Sequence, residues 1–177
     1  MDVALKEWDV QCQALELGRT ALLLRKGGIS EQRFGLEPEK FWLYPTFLHQ
    51  NTAELRQDFH DLLRQNPEVG SVVLSSFAVV EKIWKLEDLV LIEKLEPHNA
   101  LTADALRRKF KYRNQPFVHA LLLRVYTCQP IRLLETPDYA GCVSWVNLEV
   151  SLEPTAIKPV LSDQEFLGFK SQLEAML

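Results

Sequence analysis

Phe117-Val118-His119-Ala120-Leu121-Leu122-Leu123-Arg124-Val125-Tyr126-Thr127-Cys128 is the stretch on which the fold turns. Branched and aromatic residues surround a leucine run, and Pro116 and Pro130 bracket it, so it reads as a strand. A loop from Pro130 to Asp138 is expected after it, then a second strand from Gly141 to Val150. Upstream, Val72 to Trp84 is rich in Val, Ile and Phe and reads as one or two strands. Thr20 to Leu24 is a short buried strand stopped by Gly27-Gly28, and Phe41 to Tyr44 is another that ends at Pro45.

Helices are expected around these strands. Ala4, Leu5, Trp8, Cys12 and Leu15 recur at spacings of three and four, with Gly18 placed as a C-terminal stop. Asn51 and Glu54 form a capping-box pattern ahead of Leu55, Phe59, Leu62 and Leu63. Thr102 caps a helix from Ala103 to about Tyr112, and Ser162 with Glu165 caps one whose stripe is Phe166, Phe169 and Leu173. Leu86 to Leu95 fits strand and helix equally. Strands and helices do not alternate strictly, so the expected class is α+β: a mainly antiparallel sheet, able to curl, flanked by N-terminal, middle and C-terminal helices. A chain of 177 residues fits a single domain over 1–177.

Composition narrows the function classes. Hydrophobic residues at 47% and charged residues at 25% describe a globular chain. No apolar run reaches the roughly 20 residues of a membrane span, and the start lacks a signal-peptide layout. Cys12, Cys128 and Cys142 cannot all pair. Together these lead us to expect a cytoplasmic protein with buried thiols and no membrane partner. The net charge of −4 conceals a contrast: residues 1–104 carry −6, residues 105–134 carry +7 with no acid, and residues 135–177 carry −5. That asymmetry points to nucleic acid or another anion as the partner.

Several chemistries have no motif here. The sequence contains no GxxxxGK[ST], GxGxxG, GxSxG or HExxH. His49, His60, His98 and His119 are scattered, so no metal site and no cofactor are expected. None of the ten lysines has an acid two positions before it, which removes the common form of a restriction-type nuclease site.

Four segments could carry function. Arg25-Lys26-Gly27-Gly28 joins two cations to glycines that let backbone amides approach an anion, although a plain surface turn has the same composition. Trp42 and Tyr44 lie on a strand that runs to His49 and Gln50 at an expected helix start, where free N–H groups would attract an anion. Arg107, Arg108 and Lys109 open a run continuing through Phe110, Lys111, Tyr112 and Arg113, suited to phosphates and stacked bases or to a solvated helix face. Tyr139-Ala140-Gly141-Cys142-Val143-Ser144-Trp145 offers Cys142 as a nucleophile candidate, with buried packing as the alternative.

Taken in order, Ala4–Trp8, Leu23–Ile29, Phe41–Thr46 with His49-Gln50, Leu123–Tyr126 and Tyr139–Trp145 resemble the largely bacterial family called "domain of unknown function 1802". The resemblance runs from Ala4 to the Leu161-Ser162-Asp163 segment. Some members of that family are joined to a restriction-endonuclease-type domain, which implies a place beside DNA processing. A fainter similarity, in the order of elements around Leu121 to Leu148, is to the PUA-like pseudo-barrels that bind RNA or modified bases.

Three expectations follow. The leading one is a non-enzymatic nucleic-acid-binding or DNA-processing accessory domain, with Arg25, Lys26, Arg107 to Arg113 and Arg124 on phosphates and Trp42, Tyr44 or Trp145 lining a cleft with Tyr139 and Ser144. The second is a small enzyme for a phosphorylated or anionic metabolite, with His49 as acid/base. The third is a protein-binding module that works through the acidic remainder of the chain or through the amphipathic last helix, with an exposed stripe at Phe166, Phe169 and Leu173 favouring it. Oligomeric state is open.

Overall fold

The structure is a computed structural model that describes residues 1–26, 40–65, 69–139, 141 and 143–177. Gly27, Gly28, Cys142 and the expected loop over 29–38 lie outside the described residues. The chain runs β1 (Val3–Trp8), α1 (Asp9–Glu16), β2 (Leu22–Arg25), β3 (Lys40–Thr46), β4 (Ser71–Leu86), α2 (Leu89–Lys94), α3 (Ala103–Lys111), β5 (Val118–Leu134), β6 (Trp145–Asn147), β7 (Lys158–Pro159) and α4 (Asp163–Met176). The class is α+β. One sheet is ordered β2-β5-β4-β3-β1-β6, with β7 also on β5. Among the described residues every pairing is antiparallel except β1 with β3. The ladder is open rather than curled into a closed barrel.

The long β4–β5 ribbon is the spine. Its register slips between Leu74 and Ser76 and between Val80 and Lys82, and such bulges increase the local twist. The first slip faces Pro130: Leu74 pairs with Ile131 and Ser76 with Thr127, so the proline falls outside the ladder. The strand therefore continues to Leu134 where we expected a loop from Pro130 onward. Pro45 is likewise inside β3, because β4 pairs only with Lys40–Trp42 and that side of β3 is unladdered by Pro45.

The first expected helix is instead a strand followed by a helix. Ala4 to Glu7 are all buried, with Ala4 in one core cluster and Leu5 in another on the opposite face, and a doubly buried strand can mimic helical spacing. Gly18 does end α1: its φ is +68°, Gly18 N–H bonds Leu15 O, and Arg19 N–H bonds Ala14 O, a Schellman closure. A Cβ at Gly18 would also meet Leu161 Cδ2 at 2.8 Å.

The helix expected from Asn51 is absent. Asn51 Oδ1 accepts from Ala53 N–H, but only short 3-10 turns follow, over Thr52–Glu54 and Gln57–Leu62. Leu55 bridges to Leu101 and Arg56 N–H bonds Ala100 O, so pairing pulls the chain extended at the point where a helix would propagate. The expected strand over 141–150 shrinks to β6, and Leu86 to Leu95 resolves into the α2 turn capped by Asp88. Thr102 and Ser162 cap α3 and α4 as expected, the latter with a full capping box.

The stripe of α4 faces inward. Phe166 and Leu173 join Val10, Ala14, Leu24 and Leu106 in a buried cluster, with Phe169, Met176 and Leu177 against it. This removes the terminal-helix route to the protein-binding expectation, which an exposed stripe would have favoured. Among the described residues no helix is long and apolar enough to cross a membrane. Leu173→Ala should cost about 2–5 kcal/mol, read as a lower urea midpoint at an unchanged slope, because Leu173 is fully buried.

Candidate functional site

The only parallel strand pair among the described residues creates the site. Trp8 and Thr46 end β1 and β3 side by side, after which the chains diverge into α1 and into the loop through His49. The segment leading into β6 supplies the third wall, fixed when Lys6 N–H donates to Ser144 O at 2.8 Å. Lys6, Glu7, Trp8, Thr46, Leu48, His49, Gly141, Val143 and Ser144 line a cleft of about 170 Å³.

Each wall has a local cause. Leu48 N–H donates to Thr46 Oγ1, and Gln50 Oε1 accepts from Val10 N–H, tying the loop to the start of α1. Between them His49 has φ +61°, a left-handed conformation that strains a non-glycine residue and is held here by its neighbours. Lys6 Nζ donates to Tyr139 O and Gly141 O and lies 5.0 Å from the Tyr44 ring centre, so it anchors the third wall. Leu48 and Val143 stay exposed at the rim.

A buried ion pair lies beneath. Glu7 Oε1 accepts from Trp8 N–H and Gln11 Nε2, while its Oε2 is 3.3 Å from Arg25 NH1, which also donates to Lys6 O. In a flat sheet the four ladder steps from β2 to β1 would span about 19 Å, too far for an arginine to reach. The contact therefore brings β2 and β1 together through side chains rather than through a ladder.

Of the residues singled out in the sequence, the structure brings His49 and Ser144 into this cleft, with Gln50 behind it. Lys109 does not line the cleft; its Nζ lies 5.8 Å from the Trp8 ring centre. The others are placed elsewhere. Trp42 and Tyr44 are fully buried in the core, and Tyr44 OH donates to Glu135, with burial and that carboxylate pushing its pKa up. Tyr139 is buried, its OH accepting from Glu149 N–H. Trp145 meets Phe41 edge-on at 5.1 Å. Lys26 donates to the carbonyls of Phe110, Gln115 and Phe117, closing the turn into β5. Arg124 stacks on Phe166 and pairs with Asp163, fastening α4. Arg107 pairs with Glu93 and Asp104, and Arg108 with Glu54. Arg107, Arg108, Lys111 and Tyr112 line a second, shallow hollow of about 340 Å³ with Asp104.

The anion site expected at a helix N-terminus near His49 and Gln50 does not form, because the turn there has three residues. Cys12 is fully enclosed, and burial followed by nearby carboxylates pushes its thiol well up. Among the described residues no group of three or more His, Cys, Asp or Glu is arranged to hold a metal. Lys6, Glu7, Trp8 and Thr46 are the site residues that sequence reasoning missed. The signal was adjacent opposite charges inside an otherwise apolar strand.

The family described as "Domain of unknown function (DUF1802)" matches residues 4–172. The chain belongs to this family. No curated protein matches the DUF1802 chain. It is similar to the crystal structure of ASCH from Zymomonas mobilis, at 17% identity and TM-score 0.46, covering 99% of this chain and 94% of that one. A point mutant of the same ASCH gives 17% identity and TM-score 0.48, covering 96% and 94%.

The Glu7–Arg25 pair supports the cleft from below. Arg25→Met should destabilise the DUF1802 domain by about 3–5 kcal/mol, since it leaves a buried carboxylate uncompensated. Adding Glu7→Leu should restore part of that loss, and denaturant unfolding of the double-mutant cycle measures the coupling.

Proposed function

We propose that this DUF1802 domain is a non-enzymatic single-stranded nucleic-acid-binding module that seats one base in the cleft and carries neighbouring phosphates over α3. The observation that carries this reading is the cleft walled by Trp8, with Lys6, His49 and Ser144 as polar lining, and α3 adds a basic hollow lined by Arg107, Arg108, Lys111 and Tyr112. Pockets for drug-sized ligands run to roughly 300–1,000 Å³, so a cleft of about 170 Å³ suits one flat ring system rather than an extended molecule. Trp8 offers a stacking face, Leu48 and Val143 an apolar rim, and His49 and Ser144 polar groups for a base edge. A base inside a duplex could not enter, so the reading requires an unpaired nucleotide.

Fluorescence anisotropy with labelled single-stranded RNA and DNA at low salt tests it. Binding should weaken as salt rises, because phosphate contacts release counterions. Trp8→Ala should weaken it about tenfold or more, from the loss of one stacked base, while Trp8→Phe retains most of the affinity. Absence of association with either strand, or equal affinity in Trp8→Ala, overturns the reading.

A further inference from the structure

We infer that Glu7 reads the base seated in the cleft, its carboxylate accepting from an exocyclic amino group, so that the cleft selects guanine. This inference rests on the function proposed above and assigns the base-edge contact within it. Glu7 lines the cleft, and its side chain keeps 8% of its surface accessible. A carboxylate carries about four acceptor sites on its two oxygens. Oε1 accepts from the Trp8 amide and from Gln11 Nε2, which fills it. Oε2 meets Arg25 NH1 at 3.3 Å, its one partner among the described residues. An acceptor site on Oε2 is therefore left over, on a nearly buried charge at the floor of a hollow.

A carboxylate so placed asks for a donor and repels another acceptor. Lys6, the other charged residue of the lining, turns its ammonium to the carbonyls of Tyr139 and Gly141, so its charge is already spent on the protein's own oxygens. Trp8 follows Glu7 in the chain and its amide is held by that carboxylate, so the stacking face and the acceptor are fixed relative to each other. An unpaired base stacked on Trp8 is then read by its pairing edge. Among the common bases, guanine alone sets an amino group beside a second N–H on that edge. Adenine and cytosine set theirs beside a bare ring nitrogen, whose lone pair would face the carboxylate. Uracil and thymine flank their single N–H with two carbonyls.

The probe is a short labelled single strand whose positions are abasic except the central one, which carries guanine, hypoxanthine or uracil. Hypoxanthine has the ring system of guanine without the amino group, so this pair removes a hydrogen bond and keeps the stacking. By anisotropy at low salt, the wild type should bind the guanine strand about tenfold or more tightly than the hypoxanthine strand, as for loss of one hydrogen bond to a charged acceptor. Uracil should bind weakest. Glu7→Gln combined with Arg25→Met removes both buried charges together. Its amide oxygen stays with the Trp8 amide and Gln11, which turns an N–H toward the base, so guanine and hypoxanthine should bind equally. Thermal melting checks that this variant is folded; if it is not, the wild-type comparison decides alone. Equal wild-type affinity for guanine and hypoxanthine, or a gap that survives in the folded double variant, overturns the assignment of Glu7 and leaves the base-seating function standing. If the wild type binds no single strand at all, both fall.

Discussion

The carboxylate of Glu7, bound to Arg25 beneath the cleft, is the contact on which the rest of the molecule depends. It joins β1 to β2, which are separated in the sheet by three intervening strands. Both side chains are about nine-tenths buried, so each charge would be expensive without the other. The same carboxylate accepts from the Trp8 amide and from Gln11, and so sets how β1 turns into α1. Arg25 in turn donates to the Lys6 carbonyl. The last residues of β1 are thus fixed at the floor of the cleft, and the cleft inherits its shape from this charge pair.

This arrangement divides the cations into two sets. Lys6, Lys26, Arg25 and Arg124 act within the fold, on carbonyls, carboxylates or aromatic faces. A lysine ammonium that satisfies two or three carbonyls replaces backbone partners the chain does not supply, which is why Lys26 closes the turn ahead of β5. Within residues 105–134, Arg107, Arg108 and Arg124 also pair with carboxylates, which reduces the field that the positive total of that stretch implies. Helix α3 turns Leu106 and Phe110 inward and leaves Arg107, Arg108 and Lys111 outward, as its amphipathic spacing dictates.

Capped helices and the long ribbon were legible because their signals are local. Thr102 and Ser162 announce their helices by hydrogen bonds within one turn, and Val118 to Cys128 announces a strand by branched and leucine content. The misreadings share a cause in tertiary pairing. Asn51 caps as expected, yet a bridge between Leu55 and Leu101 outweighs helix propagation. Ala4 to Trp8 has helical spacing, yet burial on both faces makes it a strand. Pro45 and Pro130 looked like strand ends, but one lies on an unladdered side and the other within a register slip. For the site, His49 and Ser144 were legible as polar residues at element ends. The floor from Lys6 and Glu7 was not, because no local pattern shows that an arginine from β2 will reach β1.

The parallel β1–β3 pair explains why the cleft lies where it does. Two strands that finish together must send their chains apart, and the gap above them has to be filled by another segment or left as a hollow. Here Gly141, Val143 and Ser144 fill only one side, held by the Lys6 amide and ammonium. The other side is bordered by Trp8, with Lys109 above its ring. Lys6 points its charge into the protein's own carbonyls, so it serves to hold the wall beside the two strand ends rather than to meet a guest.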